Sequence, residues 1–379
     1  HPEARPSRLA AIAALLGFPA AAPERARVLE LGAGDGAHLI PLALEQPDAT
    51  FWGIDLAAKA VERGQARIRE LGLRNITLEQ GDIALFSPSE PFDYLIAHGV
   101  YSWVPAQVQT ALLALCRRAL APRGLAYISY ATYPGCHQRE MVRNMMLFHT
   151  ARLTGAEDVV NEGLRWARFV SQHQTQGEAY GRAIEQELKR MEAHGVGYAF
   201  HDDFADHNTP VYFGEIVQSA REQGLDFLAE ALFMHFDDGR FSPEVVALLE
   251  QLSQGDRVTR EQYLDFLRGR AFRQTLFCQA GQVPDGAWQL ERVRGLSVAS
   301  SLTSQSPELD YGTLAAEVFL SRQGLELRAE HPFVRAALRI LSAHGPCALP
   351  FSQLWERTSA VVDPGQGDPD AACEPIDRL

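Results

Sequence analysis

Cysteine is scarce in this chain, and its spacing excludes several kinds of site. The 379 residues contain five cysteines, which are scattered along the sequence: Cys116, Cys136, Cys278, Cys347 and Cys373. No two of them have the spacing of zinc ligands or of a redox pair, so we interpret them as free thiols in a reducing compartment. We therefore predict a cytoplasmic protein without a metal site.

Long apolar runs and an excess of positive charge are also absent. No apolar run reaches the ~18 residues of a membrane span. The segment 8–22 imitates a secretory signal, but its large apolar residues recur with helical spacing, so we predict a helix there. The formal net charge of -13 argues against a nucleic-acid partner, which would need a basic face to displace counterions from phosphates. Because the sequence begins with His1 and not with methionine, we expect a preceding segment.

The chain is organised around an apolar run that breaks into three alternate glycines, Val28-Leu29-Glu30-Leu31-Gly32-Ala33-Gly34-Asp35-Gly36. The apolar residues predict a buried parallel strand, and the glycines allow a tight turn in which a ligand approaches the backbone. A helix over residues 37–44 should follow. This is the first crossover of a nucleotide-binding α/β sheet, although the loop alone also satisfies the dinucleotide fingerprint.

Three acidic positions suit S-adenosylmethionine, and two of them, Glu30 and Asp82, favour it over a dinucleotide, because either cofactor would use Asp55. Glu30 stands two residues before the first glycine, where a carboxylate can hold the ammonium of the methionine part. Asp55 ends a second strand and is placed for ribose hydroxyls, and Asp82 follows a third strand, where it can bind the adenine amino group. We therefore predict a site for S-adenosylmethionine, with S-adenosylhomocysteine as product, that consists of Glu30, Gly32, Ala33, Gly34, Gly36, Asp55, Leu56, Asp82, Ile83 and His98.

Two further strands bring aromatic residues to the same edge of the sheet. A fourth strand over residues 92–97 delivers residues 98–103 to the carboxyl edge, where doubly wound folds bind ligands. A Leu-x-Pro-x-Gly turn at 120–124 precedes a fifth strand. The Asn-Pro-Pro-Tyr and Asp-Pro-Pro-Tyr signatures of amide and base amino methylation are absent after the fourth strand, as is the Pro-Cys of cytosine C5 methylation.

At this point the sequence resembles a known family. Residues 97–105 and 129–135 resemble class I S-adenosylmethionine-dependent methyltransferases with a methyltransferase regulatory domain, a group that includes bacterial lysine methyltransferases of outer-membrane proteins. Residues 207–213 and 272–276 are similar to regulatory-domain segments of that group. The chain departs from the pattern at Cys136, where an aromatic residue is expected. The resemblance implies a Rossmann-like α/β fold with a seven-stranded sheet, whose last strand is antiparallel, and with helical insertions.

The order of elements predicts four parts. Residues 1–138 form the cofactor-binding methyltransferase core. Residues 139–280 form a helical cap and regulatory segment that includes the last core strands, at 225–232 and 273–279. Residues 281–361 form a small α/β or winged-helix-like module, with a strand at 296–298 and helices at 331–344 and 352–358, and 362–379 form a disordered tail. Because the module lacks a basic recognition helix, we expect it to bind protein and not DNA.

Residues 200–208 contain two histidines and three aspartates, which invites a metal interpretation. Methyl transfer from S-adenosylmethionine generally needs no metal, and this composition is also that of turns and helix caps. We therefore predict an active-site loop that returns from the cap, with His201, Asp202 or Asn208 near the substrate.

The predicted chemistry is in-line displacement at a sulfonium methyl group, which requires a nucleophile held about 3 Å from that methyl. We predict an aromatic pocket and a proton-handling group, with the catalytic residues His98, Tyr101, Tyr130 and Tyr133. The predicted substrate-binding residues are Trp103, His201, Asn208 and Tyr212. The preferred function is methylation of protein lysine. The alternatives are a small-molecule N- or O-methyltransferase and a non-catalytic S-adenosylmethionine sensor or scaffold. The aromatic residues could also be part of the hydrophobic core without a role in catalysis.

Overall fold

A computed structural model describes residues 1–175, 177–194, 202–232, 241–284, 289–306, 316–321 and 324–362. The chain divides into two compact units. The first comprises His1–Ala14 and Phe18–Asp285, and the second comprises Leu15–Gly17 and Gly286–Leu379. No helix within the described ranges is both long and apolar enough to cross a bilayer.

The first unit is built on one seven-stranded sheet of strand order β3-β2-β1-β4-β5-β7-β6. Strands β1 to β5 pair in parallel, and β7 is antiparallel to both of its neighbours. The predicted seven-stranded sheet with an antiparallel last strand is therefore confirmed. The strands are β1 Arg27–Leu31, β2 Thr50–Asp55, β3 Ile76–Gln80, β4 Phe92–Ala97, β5 Leu120–Ala131, β6 Leu225–Glu230 and β7 Phe272–Gln279.

Apolar burial explains why these segments form the sheet. Val28, Leu29 and Leu31 of β1 have no exposed surface, and Leu95 and Ile96 of β4 are equally buried. Strands buried on both faces are nearly continuous apolar runs, which is the pattern of a parallel sheet covered by helices. The helices of this part of the chain are α1 Pro6–Leu15, α2 Leu39–Glu45, α3 Ala58–Leu71, α4 Ala106–Ala119, α5 Cys136–Thr150, α6 Ala156–His173, α7 Glu178–His194, α8 Phe213–Glu222, α9 Pro243–Ser253 and α10 Arg257–Arg268.

Helices α5, α6 and α7 pack against one another, and we call these three helices the cap. The cap has its own apolar core, which includes Val142, Met146, Val160, Ile184 and Phe204. Met146 is fully buried there, so this methionine fills core space. The cap therefore holds together by packing of its own.

The predicted turn at 120–124 is wrong in one respect, because these residues belong to β5. Leu120 pairs with Phe92 and Leu125 pairs with Tyr94, so the four residues between them bulge against a single residue of β4. A Cβ on Gly124 would lie 2.9 Å from the carbonyl oxygen of Phe92, which explains the glycine. Residues 121–124 therefore form a bulge within β5 and not a separate turn before it.

The second unit contains five short strands and two helices within the described residues. One sheet has the order β11-β10-β9 and the other pairs β12 with β8. The predicted strand near 297 and both predicted helices are present, but β9, β10 and β11 were not predicted. These strands lack a strong apolar alternation, since three of the four residues of β11 are exposed. The elements are β8 Ser297–Val298, β9 Thr303–Ser304, β10 Glu317–Leu320, β11 Glu326–Ala329, β12 Leu349–Pro350, α11 Pro332–His344 and α12 Phe351–Val362. The predicted tail was 362–379, but Val362 still belongs to α12; residues 363–379 lie outside the described residues.

Candidate active site

The glycine turn follows β1 at the carboxyl edge of the sheet. Gly32, Gly34 and Gly36 have φ of 73°, 56° and 75°, in the left-handed region that favours glycine. A Cβ on Gly32 would lie 2.6 Å from Cγ2 of Val100. The N–H groups of Gly32 and Ala33 donate to the carbonyl oxygen of Ile54 at 2.9 and 3.0 Å, which ties the turn to β2.

Asp55 holds the turn from the end of β2. Its Oδ2 accepts the N–H of Gly34 at 2.8 Å, and its Oδ1 accepts the N–H of Ala57 at 2.8 Å. Asp82, which follows β3, accepts the N–H of Ala84 at 2.8 Å. Because β1, β2 and β3 are adjacent and parallel, the residues that follow them lie along one edge of the sheet.

The remaining predicted cofactor residues differ in exposure. Ala33 and Ile83 are buried, whereas Leu56 is 68% exposed. The side chain of Leu56, which follows Asp55, therefore lies at the protein surface at the carboxyl edge of the sheet.

Glu30 and His38 form a buried pair at the glycine turn. Nδ1 of His38 lies 2.8 Å from Oε1 of Glu30, and the two side chains are 9% and 5% exposed. Oε2 of Glu30 and Nε2 of His38 are also buried, and neither has a hydrogen-bond partner among the described residues. The turn therefore includes two unsatisfied polar atoms on neighbouring side chains.

His98 follows β4 and lies against aromatic rings. Its Nδ1 is 2.9 Å from the hydroxyl oxygen of Tyr127, and its ring stands edge-on to Phe272 with centroids 6.2 Å apart. Burial lowers the pKa of His98 to about 4. The ring is therefore neutral near pH 7 and offers one donor and one acceptor nitrogen.

A cavity of about 730 Å³ lies between this edge of the sheet and the cap. The ends of β4, β5 and β7 contribute to its wall, together with α5, α7 and the segment after α7. Its lining includes His98, Trp103, Glu140, Asp203, Asn208 and Gln274. Four predicted residues, His98, Trp103, Asp202 and Asn208, are thus brought together. The predicted residue His201 lies outside the described residues.

Tyr101 and Tyr130 lie in the core. They are 3% and 0% exposed, and their rings meet edge to face at 6.1 Å. The hydroxyl of Tyr130 lies 2.8 Å from Oγ1 of Thr275. Burial raises the pKa of Tyr101 to about 12 and that of Tyr130 well above its usual range, so both phenols stay protonated.

Tyr133 belongs to an aromatic cluster beside the cavity. Its ring stacks on His137 with centroids 4.2 Å apart, and Tyr212 lies 5.1 Å away. The hydroxyl of Tyr133 donates to Oε1 and Oε2 of Glu140 at 2.9 and 3.0 Å. Burial and the charge of Glu140 raise the pKa of Tyr133, so this hydroxyl is a donor.

Several polar residues of this site were not predicted from the sequence. Glu140 stands one helical turn after Cys136, so the two share a face of α5 and both line the cavity. Asp203 also lines it, and its Oδ1 accepts from Nη2 of Arg190 at 2.6 Å. The i, i+4 spacing from Cys136 could have identified Glu140, whereas nothing in the sequence points to the pairing of Asp203 with Arg190.

The described residues contain no group of three or more His, Cys, Asp or Glu side chains arranged to hold a metal ion. Within the predicted loop, Nδ2 of Asn208 donates to the carbonyl oxygen of Asp202 at 2.9 Å. This hydrogen bond is a contact within a local turn.

Comparison with known proteins gives two family matches. A model described as a methyltransferase domain matches residues 23–191, and one described as a predicted methyltransferase regulatory domain matches residues 196–279. The second range contains α8, β6, α9, α10 and β7, so it supplies two strands of the main sheet.

Similar proteins occur in Rickettsia. The chain is 30% identical over 365 residues to the uncharacterized protein RP789 of Rickettsia prowazekii, which covers 94% of this chain and 66% of that protein, so the chain spans about two thirds of its length. It is 29% identical over 225 residues to RP028 of the same organism, with 59% and 90% coverage. The solved structure of PKMT2 from Rickettsia typhi in complex with AdoHcy has a TM-score of 0.84 at 24% identity and covers 97% of this chain and 71% of that one, which is a likeness of fold.

Proposed function

Because the chain belongs to the class I S-adenosylmethionine-dependent methyltransferases with a methyltransferase regulatory domain, we propose that it transfers a methyl group from S-adenosylmethionine to an amine bound in the cavity. The main support is one spatial relationship. The cavity is lined by His98 and Gly99 at the end of β4, and β4 is the direct neighbour of β1, which ends in the glycine turn. An acceptor in the cavity would therefore lie beside a cofactor at the turn.

The residues at the turn fit this cofactor. Oε2 of Glu30 is buried without a partner among the described residues, which suits an ammonium. The two oxygens of Asp55 each accept one backbone N–H and keep further acceptor capacity for ribose hydroxyls. A Cβ on Gly34 would meet no atom within 4 Å, so the space over the turn is open. When bound, the cofactor supplies a methyl group that its sulfonium makes electrophilic.

On the acceptor side, the chain's residues orient an amine and keep it neutral. A lysine ammonium has a reference pKa near 10.4, and it must lose a proton before the nitrogen can attack. Positive charges near an amine favour its neutral form, and the cavity lining includes Arg139, Arg143 and Arg190. Glu140 offers a carboxylate on the cavity wall that can receive the incoming ammonium, and the protonated Tyr133 holds that carboxylate. Tyr133 thus acts in this proposal as a positioning residue.

For the acceptor class we propose lysine side chains of proteins. The name of the structural relative PKMT2 denotes a lysine methyltransferase, which supports this choice. Among the cavity carboxylates, Asp203 is already paired with Arg190, whereas Glu140 accepts hydrogen bonds from a neutral phenol and lies 3.9 Å from Nδ1 of the exposed His137. A small-molecule amine is the second candidate, because 730 Å³ is also a typical volume for a metabolite pocket.

The test is incubation of the chain with S-adenosylmethionine carrying a labelled methyl group. One set of acceptors is bacterial surface proteins, with and without prior reductive dimethylation of their lysines, and the other is a panel of small amines. Label that enters protein and is blocked by dimethylation supports lysine transfer. Label in small amines alone favours the second candidate. Binding of S-adenosylhomocysteine without any transfer would favour a sensor or scaffold.

We propose in addition the compartment, the partner class and the division into parts that the sequence predicts. These are the reducing, cytoplasmic compartment, a protein partner with no nucleic acid, and the division into parts 1–138, 139–280, 281–361 and 362–379.

A further inference from the structure

The buried pair of Glu30 and His38 has two polar atoms that nothing in the described protein satisfies. They are Oε2 of Glu30 and Nε2 of His38, and both side chains are more than nine-tenths buried. A buried polar atom without a hydrogen bond costs about 1–3 kcal/mol. Two such atoms on side chains that are already bonded to each other call for one common explanation.

The hydrogen bond inside the pair determines what the free atoms can do. An ionised carboxylate only accepts, so Nδ1 of His38 carries the hydrogen in its 2.8 Å contact with Oε1 of Glu30. In a neutral imidazole, Nε2 is then a lone-pair acceptor. Oε2 of Glu30 is an acceptor as well. Neither free atom can therefore satisfy the other, and both need a donor from outside the pair.

The two buried acceptor atoms, together with the negative charge of Glu30, indicate which kind of ligand can bind them. A carboxylate would be repelled, a hydroxyl has only one hydrogen to give, and a water molecule has two but brings no positive charge. A primary ammonium has three N–H donors and a compensating positive charge. Glu30 precedes the glycine turn and His38 follows it, so both belong to the turn where the amino-acid part of the cofactor is expected. The ring of His1 lies edge-on to that of His38, with centroids 5.6 Å apart.

We propose that His38 is a specificity residue for the cofactor, and that its Nε2 accepts one N–H of the α-ammonium of S-adenosylmethionine while Oε2 of Glu30 accepts another. The inference rests on the proposed function, since it concerns the same cofactor. Glu30 was already predicted to hold the ammonium. The new element is His38, whose ring nitrogen is a second acceptor and contacts both the ligand and Glu30.

The test is calorimetric titration of the full chain and of His38→Phe with three ligands. S-adenosylhomocysteine carries the ammonium and the carboxylate, S-adenosyl-3-thiopropylamine carries the ammonium alone, and 5′-methylthioadenosine carries neither. We expect His38→Phe to weaken binding of the first two at least tenfold and to change binding of the third less than twofold. His173→Phe, a change at an exposed histidine of α6, should leave all three affinities as they are.

Every other pattern overturns the inference. Equal losses for all three ligands would assign His38 a purely structural role, and a loss for S-adenosylhomocysteine alone would assign it to the carboxylate. If His38→Phe does not fold, His38→Gln, whose amide oxygen can accept, should retain a preference for S-adenosylhomocysteine over 5′-methylthioadenosine. A native chain that binds all three ligands equally contradicts the inference but leaves the proposed function standing, whereas one that binds none contradicts both.

Discussion

The hydroxyl of Tyr133 lies 2.9 and 3.0 Å from the two carboxylate oxygens of Glu140, so one phenol holds both acceptor atoms of a residue on the cavity wall. The contact joins the segment after β5 to α5, the first helix of the cap. A side chain predicted to act on the substrate therefore acts on Glu140 in this structure.

Replacing Tyr133 by phenylalanine should lower kcat/KM for the methyl acceptor by about tenfold to a hundredfold. A hydrogen bond to a charged group contributes about 1.5–3 kcal/mol, and each 1.4 kcal/mol is a factor of ten. Steady-state kinetics with varied acceptor would measure the loss, and calorimetry should show unchanged affinity for S-adenosylhomocysteine. Tyr180→Phe, at a half-buried tyrosine of the cap, is the matched control. Unchanged kcat/KM in Tyr133→Phe would remove Tyr133 and Glu140 from the proposed site.

Asp55→Ala should weaken binding of S-adenosylhomocysteine by at least about tenfold. The change removes an acceptor for ribose hydroxyls and also frees the N–H of Gly34, which Asp55 holds at 2.8 Å. Asp93→Ala is the control, because Asp93 also accepts a backbone N–H, that of Arg27 at 2.9 Å, but lies near the start of β4 at the opposite edge. Isothermal titration would measure both variants. Equal losses would mean that the effect is one of general stability.

Arg273→Met should destabilise the protein by about 3–5 kcal/mol. Arg273 has no exposed surface and bonds to Glu230 at 2.8 Å, Asp265 at 2.8 Å and Glu261 at 2.9 Å, so its removal leaves buried carboxylates without their main partner. Urea unfolding would give the free energy. Arg182→Met breaks an exposed pair with Glu178 and should change the free energy of unfolding by less than about 0.5 kcal/mol.

The loss in Arg273→Met should also depend on pH. Burial raises the pKa of Glu230 and of Asp265, and Arg273 opposes that rise. Without the guanidinium, these carboxyls bind protons in the folded variant at a pH where the unfolded chain has released them. Stability then falls as pH rises, so the loss caused by Arg273→Met should be smaller at pH 5 than at pH 8. A loss that grows on acidification would contradict this account.

Cys136 should react slowly with iodoacetamide although it lines the cavity. Burial raises its pKa to about 11, and only the thiolate is a good nucleophile. At pH 8 the exposed Cys347 should be alkylated well before Cys136, and the rate at Cys136 should rise about tenfold with each pH unit from 7 to 9. Peptide mass spectrometry would follow both sites. Equal rates at pH 8 would show that the thiol of Cys136 is not shielded.

The sheet was predictable because its signals are local. The apolar run at Val28 and Leu29, followed by glycines that must adopt positive φ, fixes both a strand and its end. The same holds for Asp55, whose place at the end of β2 follows from the length of an apolar run. The short strands of the second unit gave no such signal, because their pairing depends on partners distant in sequence.

The direction of the aromatic side chains could not be predicted in the same way. Tyr130 and Ala131 are consecutive in β5, and successive side chains of a strand point to opposite faces. Ala131 lines the cavity, and Tyr130 enters the core beside Thr275. The sequence correctly places both residues at the carboxyl edge of the sheet. Which of the two side chains points to the cavity depends on β7, which lies more than 140 positions further along the chain.

The match to the regulatory-domain model spans residues 196–279 and therefore includes β7, which pairs with β5 from Ala126–Phe277 to Ala131–Phe272. A chain truncated after residue 191 would leave β5 as an open sheet edge with unpaired backbone groups, a surface prone to aggregation. The two matched parts thus contribute strands to one sheet, and removal of the second would expose the edge of β5. The second matched part also forms part of the wall of the cavity directly, because β7 carries Gln274.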